Sequence, residues 1–159
     1  STHDSKLTAD EQYTHITLWS ILGSPLLIGC DMAELDDFTL NLLCNSEVID
    51  VNQDELGWQA SRIYGDDSYA TYLKPLADGT VAVAMFNLSS EPKKIGFIPR
   101  SLGVIGSQVI RDLWRQKDIC TCGYHERWET EVAPHGCVFV KLTPVQKNFV
   151  PEGFDKNIK

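Results

Sequence analysis

Apolar residues recur at helical spacing near the start of the chain. Thr8 and Glu11 have the spacing of a capping box, which marks the beginning of a helix. The apolar residues that follow lie three apart: Tyr13, Ile16, Trp19 and Leu22. Gly23 then offers a stop, because glycine is common directly after the last helical turn. The pattern predicts an amphipathic helix over residues 8–23.

A short apolar run, PLLIG at residues 25–29, follows this helix. It is too short for a buried helix and lacks the alternation of a half-solvated strand, so it predicts a strand covered on both faces. Apolar residues at helical spacing then follow the acidic pair Asp36-Asp37 and predict a further helix: Leu35, Phe38, Leu42 and Leu43. SEVIDVNQD at 46–54 predicts another short turn of helix. Helix, buried strand and helix together form one slice of an α/β fold, in which this strand has no neighbour.

The pattern changes after residues 52–59, NQDELGWQ, which we interpret as a linker. Asp78-Gly79 lies between two β-type runs and is a strong hairpin signal. The β-type runs are SRIY, YATYLKPL, VAVAMFNL, KKIGFIP, SQVIRDLW, YHERWETEV and GCVFVKLTP. Short strands at intervals of about 8–12 residues predict an antiparallel sandwich or barrel. The polar tail, residues 144–159, is predicted to be poorly ordered.

Composition and charge narrow the class of protein. With 43% hydrophobic residues among 159, the chain has enough apolar material for a core. Its formal charge is −8 and the basic residues are scattered, which argues against a nucleic-acid partner. We expect no membrane partner, because no window approaches the ~18 consecutive apolar residues of a membrane span. The polar start lacks the features of a signal peptide, so we expect a mature, processed or truncated chain.

The cysteines do not indicate a metal site. There are five, Cys30, Cys44, Cys120, Cys122 and Cys137. Cys120 and Cys122 form a CxC, which is too close for the usual structural zinc spacing. A disulfide and buried free thiols both fit this count, and free thiols are the expectation. We therefore predict no metal ligands.

Several long strings resemble one enzyme family. Residues 10–32, DEQYTHITLWSILGSPLLIGCDM, and 35–59, LDDFTLNLLCNSEVIDVNQDELGWQ, resemble the end of the barrel in glycoside hydrolase family 27, the α-galactosidases and α-N-acetylgalactosaminidases. VIRDLWRQKD at 109–118 and VAPHGCVFVKL at 132–142 resemble the sandwich that follows this barrel. The resemblance implies a mainly β fold: the last α-β-α slice of a (β/α)8 barrel over residues 1–56, then a Greek-key antiparallel β-sandwich over 57–143.

The resemblance also implies which residues lie near a sugar site. Residues 25–29 correspond to the eighth barrel strand, so Cys30 and Asp31 lie at its carboxyl-terminal mouth, where such barrels carry their chemistry. His3 falls in the loop after the seventh strand, near the same mouth. Simpler roles remain open for all three: Asp31 caps a turn, Cys30 is a small buried thiol, and His3 is solvated.

The implied chemistry is retaining hydrolysis of terminal α-D-galactosides, without metal or organic cofactor. Family 27 enzymes use two aspartates about 5 Å apart, and the family places both before the matching segment. We therefore assign no catalytic residue here and predict that this chain alone is inactive, as the carboxyl-terminal part of an α-galactosidase-like enzyme. The alternative is a non-catalytic sandwich that binds carbohydrate or is purely structural. The family implies an extracellular, periplasmic or lysosomal location, and the unpaired barrel segment can self-associate or repack on the sandwich.

The sandwich segment offers its own candidates. Five aromatic residues form either a sugar-stacking platform or core: Trp114, Trp128, Tyr69, Tyr72 and Tyr124. Three charged residues form either an ion-paired cluster between sandwich and barrel or solvated pairs: Arg111, Asp112 and Arg115. The pairs Asp36-Asp37 and Asp66-Asp67 suit a helix start and a turn better than catalysis. Asn87-Leu88-Ser89 matches a glycosylation sequon.

Overall fold

The computed structural model describes residues 8–21, 44–56 and 60–145. Within these ranges the chain forms helices α1 (Ala9–Ile21) and α2 (Ser46–Asn52) and eight strands. The strands are β1 (Ser61–Gly65), β2 (Tyr69–Pro75), β3 (Val81–Asn87), β4 (Lys93–Phe97), β5 (Gln108–Asp112), β6 (Lys117–Cys122), β7 (Trp128–Val132) and β8 (Cys137–Pro144). A 3-10 helix spans Pro99–Leu102. No helix in the described ranges is long and apolar enough to cross a membrane.

Both helices begin at polar caps. The Thr8 hydroxyl accepts a hydrogen bond from the Glu11 backbone N–H at 3.2 Å, which confirms the predicted start of α1. The Asn45 side-chain oxygen accepts from the N–H groups of Glu47 and Val48 and caps α2. The predicted end of the first helix at Gly23, the strand at 25–29 and the helix that includes Leu35–Leu43 lie outside the described residues.

The strands form two antiparallel sheets. Six strands pair in the order β1-β2-β3-β8-β5-β6, and β4 pairs with β7 in a second sheet. The predicted hairpin at Asp78-Gly79 joins β2 to β3, and Gly79 has a φ of 84°, which suits glycine. The antiparallel sandwich predicted from the spacing of short strands is confirmed.

The central strands of the six-stranded sheet are buried on both faces. One face packs against α1 and α2 through the outer-face cluster: Ile16, Ile21, Val48, Val51, Leu76, Ala82, Ala84, Phe86, Leu113 and Phe139. The other face packs against β4 and β7 through the inner cluster: Val83, Met85, Ile95, Phe97, Leu102, Ile110, Cys122, Val132, Val140 and Leu142. Successive residues of β3 therefore point into different clusters, which explains its uninterrupted apolar sequence. The described molecule has three layers: helices, large sheet and small sheet.

Strand β6 is absent from the sequence-based set of β runs. Its residues Lys117–Thr121 are exposed, and Cys122 alone is buried. A strand at the edge of a sheet with this burial has no apolar alternation to reveal it. Pairing with β5, from Gln108↔Cys122 to Asp112↔Lys117, nevertheless places it in the large sheet.

Candidate functional site

The three predicted barrel-mouth positions, His3, Cys30 and Asp31, lie outside the described residues, as does Asp36-Asp37. They therefore stay predictions. Among the described residues, no group of three or more histidine, cysteine or acidic side chains could hold a metal ion. What the described residues do define is the interface between the helices and the large sheet, together with two grooves beside the sandwich.

An arginine on the sheet ties α2 to the sandwich. Arg111 on β5 donates to both carboxylate oxygens of Glu47 on α2, with its Nη2 at 2.8 Å from Oε1. Its Nη1 donates to Asp118 on β6 at 3.0 Å. The hydrogen bonds that Arg111 donates to these two carboxylates raise its pKa further above the ordinary value. Asp112 and Arg115 pair within their own turn instead, so the predicted ion-paired link consists of Arg111 and its two partners.

Asn45 makes a second link between α2 and the sandwich. While its oxygen caps α2, its amide nitrogen donates to the carbonyl oxygens of Leu113 and Trp114 at 3.0 and 3.1 Å. Both carbonyls belong to the turn that follows β5. One side chain thus hydrogen-bonds both the free N–H groups at the start of a helix and the carbonyl oxygens after a strand, about 70 positions away in sequence.

Lys74 makes a third link, from inside the core. Its side chain is fully buried, with 1% relative exposure, and Nζ donates to the Val51 carbonyl oxygen at 2.6 Å. That carbonyl lies in the last turn of α2, where helix carbonyls lack internal partners. Burial lowers the pKa of Lys74, and the negative charge of Asp54 partly opposes this shift. No local sequence pattern indicates a buried lysine at this position.

Helix α1 is held by hydroxyl groups. The indole N–H of Trp114 donates to the Thr17 hydroxyl at 2.7 Å, and the Thr14 hydroxyl donates to the His135 carbonyl oxygen at 2.9 Å. The Cys137 thiol lies 3.5 Å from the Thr17 hydroxyl. Loss of solvent beneath α1 raises the pKa of this thiol to about 11, and the contact with Thr17 partly opposes the shift. Cys137 is therefore a neutral thiol at physiological pH.

The other described cysteines are also free thiols. Cys44 and Cys120 are exposed, whereas Cys122 is buried and donates to the Glu126 carbonyl oxygen at 3.3 Å. Partial loss of contact with solvent raises the pKa of both Cys120 and Cys122, so neither is an activated nucleophile. All four described cysteines are free thiols as expected, but the expected burial is wrong for Cys44 and Cys120, which are exposed.

A groove of about 420 Å³ runs beside α1, the turn after β5 and strand β7. We call it the aromatic groove, because the rings of Tyr13, Trp114 and Trp128 line it. Tyr13 and Trp114 meet edge to face, with ring centroids 4.9 Å apart. The charged residues along it are Asp10, Asp112, Arg115 and Glu131. Aromatic faces beside carboxylates can pack against and hydrogen-bond a polar organic ligand.

A second groove, of about 340 Å³, lies between the edges of β1 and β4. Tyr64, Tyr69 and Phe97 line it together with Lys93 and Arg127, and the Lys93 ammonium lies 5.5 Å from the centre of the Tyr69 ring. This groove is cationic at its rim, unlike the aromatic groove.

The five aromatic residues considered from sequence do not form one platform. Trp114 and Trp128 line the aromatic groove, and Tyr69 lines the cationic one. Tyr72 packs edge to face against Phe86 beside the outer-face cluster, and Tyr124 contacts His125. Tyr13, which also lines the aromatic groove, was not among the sequence-based candidates, because its helical spacing assigned it to the buried face of α1.

Two polar motifs have structural roles. Asp66 accepts hydrogen bonds from the backbone and hydroxyl of Ser68, which lower the pKa of this carboxyl in its turn. Asn87, the sequon residue, is 1% exposed, and its amide nitrogen donates to the carbonyl oxygens of Glu91 and Val132. Both amide hydrogens are thus used inside the fold. A glycan on Asn87 would require this end of the sandwich to open.

Solved structures share this fold. A family 27 (GH27) β-L-arabinopyranosidase from Geobacillus stearothermophilus is 32% identical, with a TM-score of 0.82 over 91% of this chain and 32% of its own. The α-galactosidase I of Mortierella vinacea is 26% identical, with a TM-score of 0.81 over 91% of this chain and 38% of its own.

Two family models match successive parts of the chain. The model described as alpha galactosidase A matches residues 3–54, and the model described as alpha galactosidase C-terminal beta sandwich domain matches residues 66–142. The chain belongs to glycoside hydrolase family 27. It matches the carboxyl-terminal part of that family, with helices in the first matched region and the sandwich in the second.

The family 27 relatives are longer than this chain. An α-galactosidase of Oryza sativa subsp. japonica is 36% identical over 136 residues, which make up 84% of this chain and 32% of the relative. The chain therefore spans about a third of the length of such curated relatives. The interface between helices and sheet lies wholly within this third.

Proposed function

We propose that this chain forms the carboxyl-terminal part of an enzyme that hydrolyses terminal α-D-galactosyl groups with retention, and that the chain alone is inactive. The resemblance places the two catalytic aspartates that a retaining mechanism needs before the matching segment. The proposal is supported by family membership and by the α-galactosidases among the relatives. The proposed reaction uses neither a metal nor an organic cofactor.

Within such an enzyme, the sandwich braces the barrel. The observation that carries this role is the outer-face cluster, in which α1 and α2 pack against the large sheet. Arg111 and Lys74 cross the same interface with hydrogen bonds to α2, and Asn45, the cap of α2, crosses it with hydrogen bonds to the turn after β5. Burial of apolar surface supplies the affinity, and these polar links define the orientation.

The untested positions belong to the same proposal. Cys30, Asp31 and His3 lie at the mouth of the complete barrel, where they contact the sugar or shape the pocket. The enzyme works outside the cell, in a periplasm or in a lysosome, as members of the family commonly do. Where the rest of the barrel is missing, we expect the barrel segment to be disordered, to repack on the sandwich or to pair with a second copy of the chain.

A chimera tests the proposed function. The matched carboxyl-terminal part of the Oryza sativa α-galactosidase is replaced by this chain, and hydrolysis of a chromogenic α-galactoside is measured. We expect activity from the chimera and none from this chain alone or from the rice segment without its carboxyl-terminal part. Hydrolysis by this chain alone would overturn the proposal, because it would require a carboxylate pair among the residues present.

The chimera also tests the brace. Charge reversal of Arg111 to Glu places two carboxylates opposite each other at the α2 contact and should lower the thermal midpoint of the chimera's activity. The matched control is Arg127→Glu, an exposed arginine on the loop before β7 whose partner, Glu129, lies on the sandwich itself. Equal effects of the two changes would argue against a bracing role for the interface.

A further inference from the structure

We propose that the aromatic groove binds a neutral sugar unit of an oligosaccharide substrate, separate from the galactosyl unit that the barrel cleaves. This inference rests on the proposed function for the identity of the sugar. The groove is a second site, outside the barrel, whose described lining comes entirely from this chain.

The lining of the groove suits a sugar. Sugar C–H groups pack against the negative faces of aromatic rings, and the groove brings Tyr13, Trp114 and Trp128 together from three elements. Asp10 and Glu131 are exposed along the same groove, and their carboxylates can accept hydrogen bonds from sugar hydroxyls. Its volume, about 420 Å³, lies within the usual range of small-molecule sites.

The position of the groove fits an extended substrate. Asp10 lies in the first turn of α1, at the end of that helix next to the groove. In a (β/α)8 barrel, each helix begins after a loop on the face where the active site lies. The start of α1, and with it this end of the groove, is therefore on the mouth side of the barrel. A chain of sugars that leaves the mouth meets the groove on the adjoining sandwich.

The charges disfavour an anionic ligand. Arg115 extends into solvent with its side chain 83% exposed, and its Nη1 lies 3.3 Å from Asp112 Oδ2. This pairing offsets the charge of Asp112, so Asp10 and Glu131 leave the groove net negative. An anion would meet these two carboxylates, whereas the hydroxyl groups of a neutral sugar can donate hydrogen bonds to both.

The test uses this chain in full, titrated with a neutral trisaccharide that ends in an α-galactosyl unit and followed by tryptophan fluorescence and calorimetry. We expect binding with a Kd on the order of millimolar, typical of a shallow site with few hydrogen bonds. The double change Asp10→Asn and Glu131→Gln should weaken binding about tenfold, the loss expected from roughly 1.4 kcal/mol of hydrogen bonding. Glu129→Gln is the matched control, because Glu129 lies on the same strand but outside the groove.

Two further measurements keep the inference open to refutation. Affinity for the trisaccharide should stay the same between about 50 and 500 mM salt, because a neutral ligand gains nothing from screened charges. Binding of tetramethylammonium that falls with salt, without binding of the trisaccharide, would identify a cation site and overturn the proposal. So would equal weakening by Glu129→Gln and by the double change, since that result would place the sugar elsewhere.

The result is independent of the hydrolysis experiment. Binding is measured on this chain without any catalytic aspartates of the family, so an inactive chimera leaves it untouched. Conversely, an active chimera with no binding by this chain would refute the sugar groove and leave the proposed function standing.

Discussion

Lys74 and Arg111 show how single charged side chains connect the helices to the sheet. Lys74 donates a hydrogen bond to the last turn of α2 from inside the core. Arg111 donates to the first turn of α2 from strand β5, beside the edge strand of the large sheet. The Lys74 ammonium group is buried from water and makes one hydrogen bond, whereas Arg111 is partly exposed to solvent and pairs with two carboxylates. The two side chains should therefore respond differently to pH.

Lys74 predicts a pH dependence of stability. Burial lowers its folded-state pKa below the ordinary value of 10.5, so the unfolded chain holds this proton to higher pH than the folded chain does. Raising the pH toward 10.5 therefore favours the folded state. The free energy of unfolding of the wild type, relative to that of Lys74→Met, should rise from pH 7 to pH 10 in urea titrations.

The exposed Lys117, on β6, provides the control for this experiment. Lys117→Met removes the same charge and adds the same methionine at a strand position. A relative free energy that stays flat or falls with pH in the Lys74 series would contradict the assignment of a buried, destabilised ammonium.

The residues that connect the helices to the sheet differ in how far local sequence predicts their roles. Arg111 was a candidate for a charged link, but Glu47 lies 64 positions away and only the fold brings it near. Lys74 sits in a strand where lysine normally faces water, and no local pattern marks its burial. Asn45 did carry a readable signal, since an asparagine directly before a helical run is typical of an N-cap.

At the scale of elements, α2 depends on contacts beyond its own seven residues. A helix this short has little stability by itself, because nucleation is costly. Its cap, Asn45, serves the helix and the turn after β5 together. The predictable elements were those with a local signal, such as the capped α1 and the hairpin at Gly79, while β6 lacked one.

Replacing Asn45 should cost more than an ordinary cap. Asn45→Ala removes the helix cap, worth about 0.5–2 kcal/mol, and the donors to Leu113 and Trp114. With about 1 kcal/mol for each of the two lost hydrogen bonds, we expect a loss of roughly 2.5–4 kcal/mol in the free energy of unfolding. Chemical denaturation followed by circular dichroism measures this loss.

Thr8→Ala is the matched cap deletion on α1, where the hydroxyl accepts its hydrogen bond from the backbone of the same helix. We expect it to cost about 1 kcal/mol or less, at an exposed site. If the two changes cost the same, Asn45 acts only as a local cap and its donors to the sandwich contribute nothing measurable.

For the whole molecule, the large sheet has two apolar faces and needs a cover on each. The small sheet covers one face, and α1 and α2 cover the other. The uninterrupted apolar sequence of β3 does not distinguish an antiparallel sheet that is covered on both faces from a parallel sheet, because strands of both kinds are continuous apolar runs. Likewise, the sequence grouped Trp114 with four other aromatic residues, and only the pairing of strands separated them into different sites.

Removing residues 1–59 should expose the outer face of the sheet. Ala82, Ala84, Phe86 and Phe139 would lose the helices that cover them, and a contiguous apolar patch promotes association. We expect the shortened chain to form dimers or larger species in light scattering behind size-exclusion chromatography. The control removes the polar tail, residues 146–159; self-association by both shortened chains alike would refute the role of this face.

The double-sided burial of the large sheet also bears on how such proteins evolve. Domains that pass freely between genes present a polar surface on every side and tolerate any neighbour. The outer face of this sandwich is apolar and packs against two particular helices, and an arginine, an asparagine and a lysine form hydrogen bonds across the same interface. A gene that acquired the strands without those helices would encode a protein with an exposed apolar face, which would aggregate. The sandwich and the end of the barrel are thus bound to descend together, as one heritable unit.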